Sequence, residues 1–201
     1  MADIPVIIIG GGPTGLLTSL LLSRYGVAHT LVERQAGTSF HPKAMTLMLR
    51  SVEILRHLGV EDEIRRNGLP DEWNKRLLWR DGLKGDILAS IEREGENGLP
   101  YEAVSPTRPL RSPQTVTEAI LFEKTLAHDQ ADIRFSTQAI SLDEKEGYVE
   151  AELVDTLTDE HETLRARYVI GADGRHSFVR EHLGIPYIGP SDLGHFLSIY
   201  F

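Results

Sequence analysis

Apolar positions along this 201-residue chain change their period from segment to segment, and the changes mark out elements. Val6 to Ile9 is a short apolar run that predicts a strand. It passes through Gly10-Gly11-Gly12-Pro13-Thr14-Gly15 into Leu16-Leu17-Thr18-Ser19-Leu20-Leu21-Leu22, the start of a helix, and then into a second strand, Ala28 to Val32, ending at Glu33-Arg34. Gln35 to Lys43 is a polar loop containing Gly37 and Pro42. A helix follows, with Met48, Val52, Leu55 and Leu58 on one stripe and Gly59 as its stop. Asn67-Gly68-Leu69-Pro70 breaks that pattern. From Trp73 to Arg108 the chain reads as irregular or β-rich, with turns at Asp81-Gly82 and Asn97-Gly98.

Ser112-Pro113 then predicts a helix start, serine as the cap and proline at the first helical position, with Val116, Ala119, Ile120 and Ala127 forming the apolar stripe. Ile133 to Thr137, Gln138 to Asp143, Tyr148 to Thr156 and Thr163 to Arg167 read as short strands joined by charged turns, Glu144-Lys145-Glu146-Gly147 among them. They are expected to form a meander between the sheet and its last strand, Tyr168 to Ala172. No internal repeat or low-complexity tract interrupts the chain.

The glycine segment lies at a strand-to-helix turn, which is where a dinucleotide's pyrophosphate binds. Gly10 permits the turn, Gly12 lets a phosphate approach bare backbone, and Gly15 lets the helix pack closely. Unpaired N–H groups at the helix start, with the positive end of its dipole, face the phosphates. Glu33 follows at about the 20-residue interval at which an acid accepts the hydroxyls of an adenosine ribose. The same residues taken singly are compatible with ordinary turn glycines and a solvated acid. Strand, glycines, helix, strand and acid in this order favour the dinucleotide. An acid at this point also argues against a ribose carrying a 2′-phosphate, which it would repel.

Net charge is -9, with 30 acidic against 21 basic residues, and no basic run stands out, which argues against a nucleic-acid surface. Cysteine is absent, excluding disulfides, thiolate metal ligands and a cysteine nucleophile, and fitting a reducing, cytoplasmic setting. Asp3 stands where a signal peptide carries basic residues, so neither secretion nor a membrane span is expected. No metal site is expected. None of the eight histidines, His41, His176 and His195 included, forms a recognisable dyad, and each reads as a loop or surface residue. No catalytic residue can be named.

The second chemical motif is Tyr168-Val169-Ile170-Gly171-Ala172-Asp173-Gly174-Arg175-His176-Ser177-Phe178-Val179-Arg180. It puts a carboxylate at the carboxyl edge of a sheet, where open α/β sheets bind ligands. Ser177 is positioned to cap a short helix from Phe178 to Leu183, and Arg180 to hold the turn through carbonyls or a carboxylate. Taken alone, the segment is equally an Asp-Gly turn with a surface arginine.

The two motifs together resemble the FAD-dependent aromatic hydroxylases, single-component flavoprotein monooxygenases related to para-hydroxybenzoate and phenol hydroxylase, and most of all the branch acting on phenols and aromatic polyketides. The resemblance spans nearly the whole chain through Gly10 to Gly15, Glu33-Arg34, His41-Pro42-Lys43-Ala44, Gln114 with Glu118, and Tyr168 to Arg180. It implies a Rossmann-like α/β fold of three layers with a parallel sheet and a β-meander, plus fragments of a β-rich substrate domain. It also implies FAD as cofactor, NADH or NADPH as electron donor, and O2 and a small aromatic molecule as substrates. Gly12, Pro13 and Thr14 would meet the pyrophosphate, Glu33 the adenosine ribose, Gln114 the ribityl or flavin region, and Asp173 the ribitol and pyrophosphate region.

Lys43 departs from the family, which usually has arginine there near the flavin; lysine keeps the charge and loses the planar fork. It reads either as a flavin-facing charge or as a solvated loop charge. The resemblance divides the chain into an incomplete FAD-binding domain, 1–72 and 112–185, and a partial substrate domain, 73–111 and 186–201. A further Gly-Asp-Ala segment of the family has no counterpart here, and Phe196 to Phe201 reads as a strand cut short, so an N-terminal portion of a longer enzyme is expected. Two other functions stay open: another flavoprotein of the same fold, such as an isoprenoid-lipid reductase, a ring-forming oxidase or an epoxidase, and a nucleotide-binding module without catalysis.

Overall fold

The computed structural model describes residues 2–41, 43–82, 84–92, 95–96, 99–190, 193–195 and 197. The first β-α-β unit comprises β1 (Ile4–Ile9), α1 (Pro13–Arg24) and β2 (His29–Val32). β3 (Thr46–Leu47), α2 (Leu49–His57) and α3 (Glu61–Asn67) follow. A 3₁₀ turn (Asp71–Asn74) leads into the hairpin β4 (Arg76–Arg80) and β5 (Ile87–Glu92), the short strands β6 (Gly95–Glu96) and β7 (Leu99–Pro100), and α4 (Tyr101–Val104). β8 (Leu110–Arg111), which pairs with β3, returns the chain to α5 (Gln114–Leu126). The chain then forms β9 (Ala131–Arg134), β10 (Thr137–Lys145), β11 (Tyr148–Asp155), β12 (His161–Gly171) and α6 (Phe178–His182).

Six strands make the main sheet in the order β10-β11-β12-β1-β2-β9. β12, β1, β2 and β9 are parallel, and β10 and β11 are antiparallel. The unbroken apolar run of β1 follows from its central place, because alternate residues enter opposite cores. Val6 and Ile8 join Leu31 against Leu16, Leu20, Val52, Leu55, Ile120 and Leu121 on the helical side. Ile7 and Ile9 join Val32 against Ala139, Leu142, Ala151 and Leu153 of the meander. Ile7, Ile8, Leu16, Leu31 and Leu121 are among the largest fully buried side chains, and burial of each such side chain contributes roughly 1.5–3 kcal/mol.

Four local expectations are corrected. Thr163 to Arg167 and Tyr168 to Ala172 are not separate strands but the single strand β12, in which Ala166 pairs with Val149 on one edge and Ile4 on the other. Alternation survives that handover between partners, so the sequence pattern cannot mark it. Ile133 and Arg134 belong to β9, a parallel edge strand beside β2, and Glu144 and Lys145 stay in β10, leaving the turn to Glu146 and Gly147 (φ 85°). Pro113, not Ser112, is the cap residue of α5. Ser112 stands one position too early, and its hydroxyl instead accepts from that of Thr117 at 3.2 Å.

The stretch from the 3₁₀ turn to α4 contributes no strand to the main sheet. Arg65 of α3 links the start of this stretch to the chain just beyond it, donating to Asp71 at 2.7 Å and to the carbonyl of Arg108 at 3.0 Å as well as to Glu61 of its own helix at 2.8 Å. Asn97-Gly98 lies outside the described residues, as does the strand expected at Phe196 to Phe201 apart from Leu197, which has no regular structure.

Candidate functional site

β1, β2 and β12 end side by side, at Ile9, Val32 and Gly171. The chain segments leaving them enclose a cleft of about 390 Å3. Gly10, Gly12, Pro13 and Thr14 line it from the first turn, Glu33, Arg34 and Gln35 from the second, and Asp173, Gly174, His176 and Phe178 from the third. Lys43 reaches it from the loop after β2, Gln114 from the start of α5, and Thr137, Gln138 and Ala139 from β10.

The glycines of the first turn differ in what requires them. Gly10 has φ 108°, and a Cβ there would lie 2.4 Å from the carbonyl oxygen of Ala172. A Cβ on Gly15 would lie 1.8 Å from the carbonyl oxygen of Gly10, so Gly15 lies against the loop and is not among the residues lining the cleft. Around Gly12 nothing stands within 4 Å of the Cβ position. The protein therefore tolerates a side chain there sterically, and only a ligand at the open side would object. α1 begins at Pro13 after Gly12 with no side-chain cap and no acid in its first turn. An uncapped helix start of this kind is a general anion-binding feature.

Glu33 is half-buried and accepts one hydrogen bond at each oxygen. Its Oε2 accepts the backbone N–H of Gly11 at 2.7 Å and its Oε1 that of Gln35 at 2.9 Å. The contact explains the middle glycine, which sequence reasoning passed over: a Cβ on Gly11 would lie 2.7 Å from Cβ of Glu33. Each carboxylate oxygen keeps a lone pair for a hydroxyl donor.

Asp173 has a similar double character. Its Oδ1 accepts the Ser177 hydroxyl at 2.5 Å and its Oδ2 the Val179 N–H at 3.1 Å, so the carboxylate fastens the start of α6 while lining the cleft. Ser177 caps α6 by accepting the Arg180 N–H at 2.9 Å. Arg180 in turn donates to the Ile185 carbonyl at 2.7 Å and lies over the ring of Tyr187. The turn and the ligand-facing alternatives for Asp173 are therefore compatible in one geometry.

Gln114 donates through Nε2 to Glu118 at 2.6 Å. Lys43 and Arg34 are exposed at the cleft, and among the described residues neither makes an ion pair. Among the described residues, Arg34 and Lys43 thus stand at the cleft outside any ion pair, while Glu33 and Asp173 are held by backbone and hydroxyl donors. His176, Phe178 and the β10 wall were missed by sequence reasoning. No spacing signal reveals that the start of the meander's first strand lines this cleft.

A mixed sheet whose parallel strand β1 feeds a glycine turn and an uncapped helix, with an acid just after the adjacent parallel strand, defines a Rossmann-like dinucleotide-binding protein. The chain belongs to the FAD binding domain family, which it matches over residues 3–201. It is 34% identical over 199 residues to 2,4-dichlorophenol 6-monooxygenase of Delftia acidovorans, covering 98% of this chain and 34% of that protein. It is 36% identical over 213 residues to tetracenomycin A2 monooxygenase-dioxygenase of Streptomyces glaucescens, covering 99% of this chain and 37% of that one. The flavin-dependent monooxygenase PieE, solved with FAD and substrate, superposes with a TM-score of 0.88 at 35% identity, over 94% of this chain and 34% of PieE. The chain spans about a third of the length of these relatives. Among the described residues no helix is long and apolar enough to cross a membrane.

Proposed function

We propose that this chain forms the FAD-holding part of a monooxygenase that hydroxylates a phenolic or polyketide aromatic ring, using O2 and electrons from NADH or NADPH. The observation that carries the proposal is the convergence of an uncapped helix start, a glycine open to the cleft, and the acids Glu33 and Asp173 on one space. FAD, when bound, supplies the redox chemistry, and the protein supplies position, charge and exclusion of water.

Gly12, Pro13 and Thr14 receive the pyrophosphate at the positive end of α1. Glu33 accepts the hydroxyls of the adenosine ribose with its remaining lone pairs, and Asp173 those of the ribitol chain. Gln114 faces the ribityl region. Lys43 and Arg34 add positive charge beside a dianionic ligand. The split into an incomplete FAD-binding domain, 1–72 and 112–185, and a partial substrate domain, 73–111 and 186–201, belongs to the same proposal and draws support from the separate β4–β5 pairing. So does a cytoplasmic place of action, where reduced nicotinamide is at hand.

The test is oxygen uptake. The protein carrying this chain, loaded with FAD and given NADH or NADPH, should incorporate labelled oxygen into a phenolic or polyketide substrate. Reduced-nicotinamide oxidation that no aromatic compound stimulates would contradict the hydroxylase assignment.

A further inference from the structure

Glu118 lies on the inward face of α5 beside Ile120 and Leu121 and is only 2% exposed. An acid at such a position is costly unless both of its oxygens are satisfied. Both are: Oε2 accepts the Ser39 backbone N–H at 2.6 Å, and Oε1 accepts Nε2 of Gln114 at 2.6 Å. Ser39 belongs to the loop that brings Lys43 to the cleft, and Gln114 lies one helical turn before Glu118 and lines the same cleft. The Gln114 N–H also donates to the Ala44 carbonyl at 2.9 Å, just beyond Lys43.

A carboxylate only accepts, so it dictates which way the Gln114 amide turns. The NH2 group must face Glu118, and the carbonyl Oε1 is left on the other side of the planar amide. Among the described residues that oxygen receives no hydrogen bond from the protein. We infer that Glu118 is a positioning residue: it turns Gln114 so that a carbonyl acceptor is offered to a hydroxyl-bearing part of the ligand, and it fastens the Lys43 loop at the cleft. An acceptor suits the O–H groups of a polyol and offers nothing to a phosphate, which points Gln114 to the ribityl chain. The identity of that polyol rests on the FAD assignment proposed above.

Glu118→Gln separates the two duties. Its carbonyl retains the Ser39 N–H, while its NH2 group forces Gln114 to rotate and present a donor to the cleft. The loop should stay fixed, so trypsin should cut Lys43–Ala44 in the ligand-free variant at the wild-type rate, followed by mass spectrometry. FAD should bind about tenfold more weakly, whereas ADP, which lacks the ribityl chain, should bind as to wild type. Glu118→Ala should expose Lys43–Ala44 to faster cleavage. Wild-type affinity for FAD in Glu118→Gln, or equal loss of FAD and ADP binding, would overturn the inference. Failure of the wild-type protein carrying this chain to bind FAD at all would overturn the FAD assignment itself.

Discussion

Glu33 and Gly11 are joined within the protein itself: the carboxylate just after β2 accepts the glycine's backbone N–H at 2.7 Å. The acid therefore shapes the glycine turn as well as offering acceptors to a ribose. Glu33→Ala removes both functions. Hydrogen exchange at the Gly11 amide should accelerate in the ligand-free protein, and FAD affinity should fall by roughly 1.5–3 kcal/mol, the worth of a hydrogen bond to a charged group. Unaltered exchange at Gly11 would remove the shaping role.

Gly12 and Gly15 should respond oppositely to alanine. Gly15→Ala forces a methyl group to 1.8 Å from the Gly10 carbonyl oxygen, a clash expected to cost at least about 1–3 kcal/mol. Gly12→Ala meets nothing within 4 Å and should leave thermal stability without ligand unchanged while weakening FAD binding. Denaturation curves of the two ligand-free variants distinguish them, and equal destabilisation would count against an open face at Gly12.

Asp173→Ala should destabilise the protein even without FAD, by about 1–2 kcal/mol, because the Ser177 hydroxyl and Val179 N–H lose their acceptor. A further loss should appear only in the presence of FAD. Thermal shifts measured with and without cofactor separate the two parts, and a variant as stable as wild type without FAD would confine Asp173 to ligand binding.

Glu61 gives the fold a pH dependence. Burial pushes its carboxyl pKa up, but the Thr107 hydroxyl and the Arg65 and Arg56 guanidiniums outweigh burial and hold it below the ordinary value of 4.5. A depressed folded value means the stabilisation is present above the unfolded pKa and fades as pH falls through the folded one. Glu61→Gln should therefore be less stable than wild type at pH 7, by roughly 1–3 kcal/mol. The gap should narrow below about pH 4.5. Urea titrations at the two pH values check this, and a gap independent of pH would remove Glu61 as the source.

Much of this arrangement was legible in the sequence because it is local. A strand running directly into Gly10-Gly11-Gly12, a proline at the first helical position and an acid after the next strand follow one another in a fixed order along the chain, and that order is readable without any tertiary contact. The features that escaped depend on distant neighbours. Gly11 is required by the Cβ of Glu33, β12 changes partners without altering its alternation, and Thr137 and Gln138 enter the cleft only because β10 returns past β2. Glu118 belonged to the family resemblance, but what it holds became apparent only with Ser39 and Gln114 on either side of it.

The most direct measurement is equilibrium titration of the protein carrying this chain with FAD, followed by flavin fluorescence, beside the Gly12→Val and Glu33→Ala variants. An FAD site at this cleft requires saturable binding by the wild type. It also requires sharply weaker binding by both variants, with Gly12→Val still folded by circular dichroism. No saturable binding by the wild type, or equal binding by a folded Gly12→Val, would contradict it.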